Sequence, residues 1–255
     1  MKIIEFFIMA PIDVKTISKK SVDEFREQFF GQISENDDTF YKDDIADIKS
    51  NDYLVRFYIT HSKRVISDAV TSCIQKLTWR KEYKVRDITE KDFPKEMLTS
   101  GAYYARGEDK NGCPIMWYVP NNVVRKSGEE SLDLWNRFFV YNFEKLHQKR
   151  GDKRIVFILN LYNMGVTNMD TALLNWQVKC FQDYYPDATE YNINFEMAFT
   201  LKAVWKIVQL WLSEEAKSRV KFATRKDVFE YIDRSNWPKS LGGEDDYVFE
   251  YSPSQ

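Results

Sequence analysis

Few side chains in this sequence are typed and spaced for covalent or metal chemistry. The two histidines, His61 and His147, stand apart among charged and polar neighbours. A catalytic triad or a histidine-based metal centre needs a companion residue at motif spacing, and neither histidine has one, so both read as solvated helix-surface residues. The three cysteines, Cys73, Cys113 and Cys180, are odd in number and widely spaced. They form no zinc pattern and no disulfide framework. They predict reduced, structural thiols in a cytoplasmic compartment. Glu108 and Asp109 are adjacent acids in a turn, without an acid–base counterpart. Only 9 glycines occur, and neither G-x-G-x-x-G nor G-x-x-x-x-G-K-[ST] is present. The residues therefore predict no enzyme, no metal site and no cofactor.

What remains is a chain suited to binding. It has 255 residues with 44% hydrophobic and 30% charged content, an ordinary globular composition. Lys+Arg 37 against Asp+Glu 39 leaves a net charge of -2, which argues against a nucleic-acid partner. Aromatic residues reach 16%, enough for a large apolar interior or a pocket lining. No run of 18 apolar residues could cross a membrane as a helix. Residues 1–20 read as a disordered leader: the apolar run after Lys2 is short and Glu5 interrupts it.

Residues 21–90 read as a helical N-terminal lobe. Ser21 and Glu24 have capping-box spacing, and Phe25, Phe29 and Phe30 fall on one helical face. Val65, Ile66, Ala69, Val70, Cys73 and Leu77 repeat at helical spacing further on. A β-hairpin follows, 101–105 and 115–119, joined by the turn chemistry of Asp109-Lys110-Asn111-Gly112. From there helices alternate with apolar strand runs: helix 131–150, strand 155–161, helix 168–185, strand 191–195, a helix to Leu212, strand 220–223 and helix 226–234. That order predicts an α/β layer with parallel strands and right-handed crossovers.

The segment 198–212 is the most informative. Lys202, Lys206, Gln209 and Ser213 form one narrow polar stripe, and almost everything else is apolar. Such a helix is either buried core or faces a second apolar phase. Read as core it is inert; read as a lid it covers a cavity on one face and meets a lipid surface on another. Phe199, Leu201, Val204, Trp205, Val208 and Trp211 are the gate residues in the second reading. The hairpin aromatics Tyr103, Tyr104, Trp117 and Tyr118 read either as cross-strand pairs that stabilise the hairpin or as the entrance or floor of a ligand cavity. A local basic cluster, Lys217, Arg219, Lys221, Arg225 and Lys226, is either a solvated face or a contact for anionic lipid.

These residues carry a resemblance. Tyr104-x-x-Gly107-x-Asp109-Lys110-x-Gly112-x-Pro114-Ile115 resembles the hairpin of CRAL-TRIO lipid-binding domains, and Tyr185-Pro186 resembles that family's Tyr-Pro before the central strand. Trp79-Arg80-Lys81-Glu82 resembles the end of its helical N-terminal region. Phe199 to Leu212 falls where the family has its gating helix, and Trp237-Pro238-x-x-Leu241-Gly242-Gly243 resembles its closing motif. The runs 180–186 and 206–216 look most like the CRAL-TRIO domain of motile-sperm-domain-containing proteins. There are departures. Asn160 stands where Asp is common, Glu196-Met197-Ala198 replaces Asn-x-Pro, and Gln209-Leu210-Trp211 replaces Lys-Pro-Phe. That last change removes a lysine that helps hold an inositol phosphate in phosphoinositide-transfer members, so phosphatidylinositol specificity does not follow from the resemblance.

The resemblance implies a helical lobe followed, over 95–251, by a mixed, mostly parallel sheet covered by helices, with an apolar pocket under a gate helix. It implies binding and intermembrane transfer of a phospholipid or other hydrophobic molecule, with transient membrane contact. The alternative is a non-catalytic interaction or tethering module of the same fold. The expected pocket wall is Tyr104, Trp117, Phe157, Leu159, Leu161, Ile193 and Phe195 beneath the gate residues. Lys202, Lys206, Lys221 and Arg225 are the expected headgroup or membrane contacts. Strands 115–119, 155–161 and 191–195 should enclose roughly 300–1,000 Å³ against the helix.

Overall fold

Ser18 begins the first helix by accepting a hydrogen bond from the Ser21 amide at 3.1 Å. In the computed structural model, which describes residues 14–34, 38–165, 169–185 and 188–253, that helix is α1 (Lys19–Gln32). Its cap thus lies three residues ahead of the expected Ser21, because the Ser18 hydroxyl reaches an otherwise orphaned amide. Of the expected leader, residues 1–13 fall outside the described residues, whereas Val14 and Ile17 are buried.

The chain divides into two compact units at Arg86/Asp87. In the first, α1 packs with α2 (Lys42–Ser50), α3 (Asp52–His61) and α4 (Ile66–Glu82). Apolar residues at helical spacing make its core: Val22, Phe25 and Phe29 from α1, Val55 and Tyr58 from α3, Val70, Cys73 and Leu77 from α4. One buried ion group crosses it. Asp44 receives Arg80 Nε at 2.8 Å on one oxygen and Arg86 Nη2 at 2.5 Å on the other. A buried carboxylate held on both oxygens stays hydrogen-bonded without water.

The second unit contains a short helix, α5 (Lys95–Leu98), and a five-stranded sheet in chain order: β1 (Tyr103–Glu108), β2 (Pro114–Tyr118), β3 (Ile155–Asn160), β4 (Thr189–Phe195) and β5 (Val220–Ala223). β1 and β2 are antiparallel and the remaining pairs parallel. Asp109 shapes the hairpin turn; its Oδ1 accepts from the Asn111 and Cys113 amides, both at 2.8 Å, and Gly112 takes a φ of 73°. The parallel strands are joined by α6 (Glu129–His147), α7 (Thr171–Tyr184), and α8 (Lys202–Trp211) with α9 (Glu214–Ser218).

Strands laid down in strict chain order with right-handed crossovers must carry all their helices on one face. Alternation along each strand then decides what every side chain meets. Phe157 of β3 packs on Phe139 of α6 and Phe181 of α7, with ring centroids 6.3 and 5.2 Å apart. Its neighbours Val156 and Ile158 point the other way, into a core with Trp117, Ile193, Phe195 and the C-terminal residues Val228, Ile232, Trp237 and Leu241. The C-terminal segment therefore does on one face what the helices do on the other. The expected helix over 226–234 is only a 3-10 turn, Val228–Glu230.

Candidate functional site: an apolar cavity beneath α8

The helix-covered face of the sheet is incompletely filled at its β4–β5 end. A cavity of about 90 Å³ lies there. β3 and the residue after it supply Phe157, Leu159 and Leu161; β4 supplies Asn192 and Asn194, and β5 supplies Val220. From α7 come Leu174, Gln177, Val178 and Phe181, at the spacing of one helical face. The roof is Leu201, Val204, Trp205, Val208 and Leu212, with Met169 and Met197 at the rim.

Seven of the residues expected at this site line it: Phe157, Leu159, Leu161, Leu201, Val204, Trp205 and Val208. Six do not. Tyr104, Trp117, Ile193 and Phe195 lie on the opposite face of the sheet, because the strand period of two alternates them with the residues that face the helices. Tyr104 and Trp117 stack on each other at 5.9 Å, and Trp117 meets Trp237 at 4.8 Å. Phe199 is 79% exposed. Trp211, half-buried at the end of α8, is not in the lining. The volume is also corrected: about 90 Å³ is well below the roughly 300–1,000 Å³ of ordinary small-molecule sites.

α8 has two apolar faces. Leu201, Val204 and Val208 are buried over the cavity. On its other side Leu210 is 82% and Ile207 48% exposed, and Phe199 lies just ahead. Lys202 and Lys206 are exposed on the same helix, with Lys202 Nζ 4.5 Å from the Phe199 ring centre. At the edge strand Phe222 is 44% exposed and meets Trp205 edge-on at 5.0 Å. Lys221 lies elsewhere. It pairs in register with Ile193, which puts it on the far face of the sheet. Arg225 stacks on Tyr162 at 4.3 Å. Lys217 and Arg219 pair with Glu214 and Glu215, each at 2.6 Å, and Arg219 also donates to the Thr189 carbonyl at 3.2 Å.

The missed lining residues are the amides Asn192 and Asn194, the α7 face, and Met169, Met197, Leu212 and Val220. Gln177 is 2% exposed; its Nε2 donates to Tyr103 Oη at 2.5 Å, while its Oε1 has no partner. Asn192 Oδ1, also buried, has none either. Each such atom costs about 1–3 kcal/mol in an interior. No residue in the lining ionises in the neutral range. The signal for α7 was present as Leu174, Gln177, Val178 and Phe181 on one face; core packing gives the same pattern.

A wider cleft of about 520 Å³ shares Met169 with the cavity. It is polar: Arg125 and Asp170 form an ion pair there, and Asp170 caps α7 through the Leu173 amide at 3.0 Å. Burial raises the Asp170 pKa, but Arg125 and the helix amides outweigh it and leave the carboxyl below its usual range. Neither histidine lines the cavity. His147 is half-buried rather than solvated, with its ring 5.7 Å from that of Tyr185 and its Nε2 3.1 Å from Arg150 Nη2. All three cysteines are buried free thiols. Among the described residues no acid, histidine or cysteine cluster could hold a metal, and no helix is long and apolar enough to cross a membrane.

A sheet with one antiparallel edge, helices on one face and an apolar cavity under a two-faced helix is the fold class expected from the hairpin and closing motifs. Residues 98–243, more than half the chain, match the model of the CRAL/TRIO domain, and the chain belongs to that family. It is similar over 211 residues, at 25% identity, to "Phosphatidylinositol transfer protein CSR1" of Eremothecium gossypii, covering 78% of this chain and 48% of that protein. It is 24% identical to "CRAL-TRIO domain-containing protein C3H8.02" of Schizosaccharomyces pombe, covering 82% of this chain and 49% of the relative. "Patellin-6" of Arabidopsis thaliana is 24% identical over 91% of this chain and 60% of its own length. The chain thus spans about half the length of the first two of these curated relatives. The solved structure titled "Crystal structure of Sfh5" superposes with a TM-score of 0.69 over 93% of both chains at 16% identity, a likeness of fold.

Proposed function

We propose that this chain binds one hydrophobic lipid in the cavity beneath α8 and carries it between membranes. The observation that supports this is the double apolar character of α8. Its inner face roofs a cavity, and its outer face leaves Leu210 82% exposed beside Ile207 and two lysines. An ordinary surface helix would present charge there. A helix that closes over an acyl chain and opens at a bilayer needs both faces. Each buried methylene contributes about 0.8 kcal/mol, so one acyl chain supplies ample affinity without many polar contacts. Lys202 and Lys206 add about 1 kcal/mol each beside an anionic surface. The small cavity means that α8 must move outward to admit a chain, a gating step rather than a chemical one.

In this reading the protein is not an enzyme. It works in the cytoplasm with transient membrane contact, and the three buried free thiols fit that compartment. A relative bearing the name of a phosphatidylinositol transfer protein supports transfer as the activity. The narrower likeness to motile-sperm-domain-containing proteins rests on segments 180–186 and 206–216 alone, and none of the relatives named above bears that name.

A second reading is favoured by the cavity volume itself. A space of about 90 Å³ suits a non-carrying interaction or tethering module of the same fold. Transfer of labelled lipids between donor and acceptor vesicles separates the two. Protein-dependent movement of lipid supports the carrier, and vesicle binding without movement supports the module.

A further inference from the structure

The cavity is not lined as plain hydrocarbon. Two of its residues hold buried polar atoms with no partner, Gln177 Oε1 on α7 and Asn192 Oδ1 on β4, and Asn194 is a third amide in the same lining. Gln177 is fixed where it stands, since its other amide atom is engaged by Tyr103 at 2.5 Å and the residue is 2% exposed. Buried polar atoms of a folded protein almost always have partners, so an orphan pair in one cavity points to a ligand or water that completes them. No lining side chain carries charge near neutral pH.

We infer that the cavity selects a lipid whose buried head is an uncharged hydroxyl that donates its hydrogen to Gln177 Oε1, with the Asn192 amide beside it. This rests on the reading that the cavity holds lipid. Both orphan atoms are acceptors and a hydroxyl has one hydrogen, so it donates to Gln177 Oε1 and its oxygen accepts from Asn192 once that side chain turns its Nδ2 inward. A phosphoryl headgroup finds no cation in this lining and stays outside it. An ether of the same chain fills the same space but has no hydrogen to donate, so it leaves an acceptor unpaired. Sites built around a hydroxyl discriminate strongly against analogues that lack it.

The test presents 1-hexadecanol and its methyl ether, 1-methoxyhexadecane, in equal amounts in phosphatidylcholine vesicles to the full chain. Native mass spectrometry then reads the bound species. The alcohol is expected to exceed the ether by about tenfold or more. In Gln177→Leu that ratio is expected to fall toward one while the ether is still taken up. The wild-type ratio stands even if the variant does not fold. Equal uptake of alcohol and ether by the wild-type chain would overturn the inference and leave the amides to bound water. Uptake of phosphatidylcholine in place of both probes would overturn it while leaving the carrier reading intact. No bound lipid of any kind would overturn both.

Discussion

Gln182 on α7 holds the end of α8 at Trp211: its Nε2 donates to the Trp211 carbonyl at 2.9 Å, and its Oε1 accepts from the Ser213 amide at 2.8 Å. Both amide atoms are used on a helix end whose carbonyls have no intrahelical partners. The roof of the cavity is thus fastened at its C-terminal end. In Gln182→Leu, amides 208–213 should exchange with solvent about tenfold faster while the melting midpoint moves only a few degrees. Unchanged exchange would show that the clamp does not restrain α8.

The two faces of α8 predict opposite outcomes for the same substitution. Leu210 is 82% exposed and Val208 is 7% exposed. Leu210→Asp should change stability by less than about 0.5 kcal/mol and sharply reduce binding to anionic vesicles. Val208→Asp buries an unpaired carboxylate and should cost several kcal/mol, read as a collapsed melting transition. Vesicle binding by Leu210→Asp equal to wild type would remove the outer face from the membrane contact.

Gly243 lies against the backbone of the C-terminal cover. A Cβ added there would sit 1.9 Å from the Trp237 carbonyl oxygen. Trp237 is fully buried against Trp117 and Phe195, so the clash cannot be relieved by a flexible side chain. Gly243→Ala should destabilise the second unit by about 2–4 kcal/mol. A denaturant midpoint within error of wild type would contradict this packing.

Burial also governs the thiols. Burial first, and then Asp109, pushes the Cys113 thiol up to about 11, and burial holds Cys180 well above its usual value. Both remain protonated and unreactive at pH 8 in the folded chain. Alkylation there should be slow, and denaturation at the same pH should release three free thiols. Fast labelling of Cys180 without denaturant would show that the α7 face opens far more readily than its packing implies.

Much of this was readable from residue order. The apolar run 155–161 and the turn at Asp109–Gly112 fixed a strand and a hairpin, since each has few alternative conformations. α8 was legible because its polar stripe is so narrow. The side of the sheet was not legible. β2 and β3 are apolar on both faces, so alternation separates Tyr104 and Trp117 from Tyr103 and Tyr118 without saying which pair meets the helices. Crossover handedness decides that, and it acts between strands far apart in the chain. In β4 the clue was inverted: the apolar Ile193 and Phe195 enter the C-terminal core while Asn192 and Asn194 line the cavity. The contribution of α7 stayed hidden because Leu174, Val178 and Phe181 are residue types that pack a core equally well.

The central claim is that the space beneath α8 receives a lipid. Native mass spectrometry of the full chain after incubation with mixed natural-lipid vesicles tests it most directly. The account predicts a mass increase of one lipid per chain, lost when Leu201→Trp fills the cavity in a chain that still melts cooperatively. A bare protein mass under the same conditions, with vesicle binding retained, would contradict it.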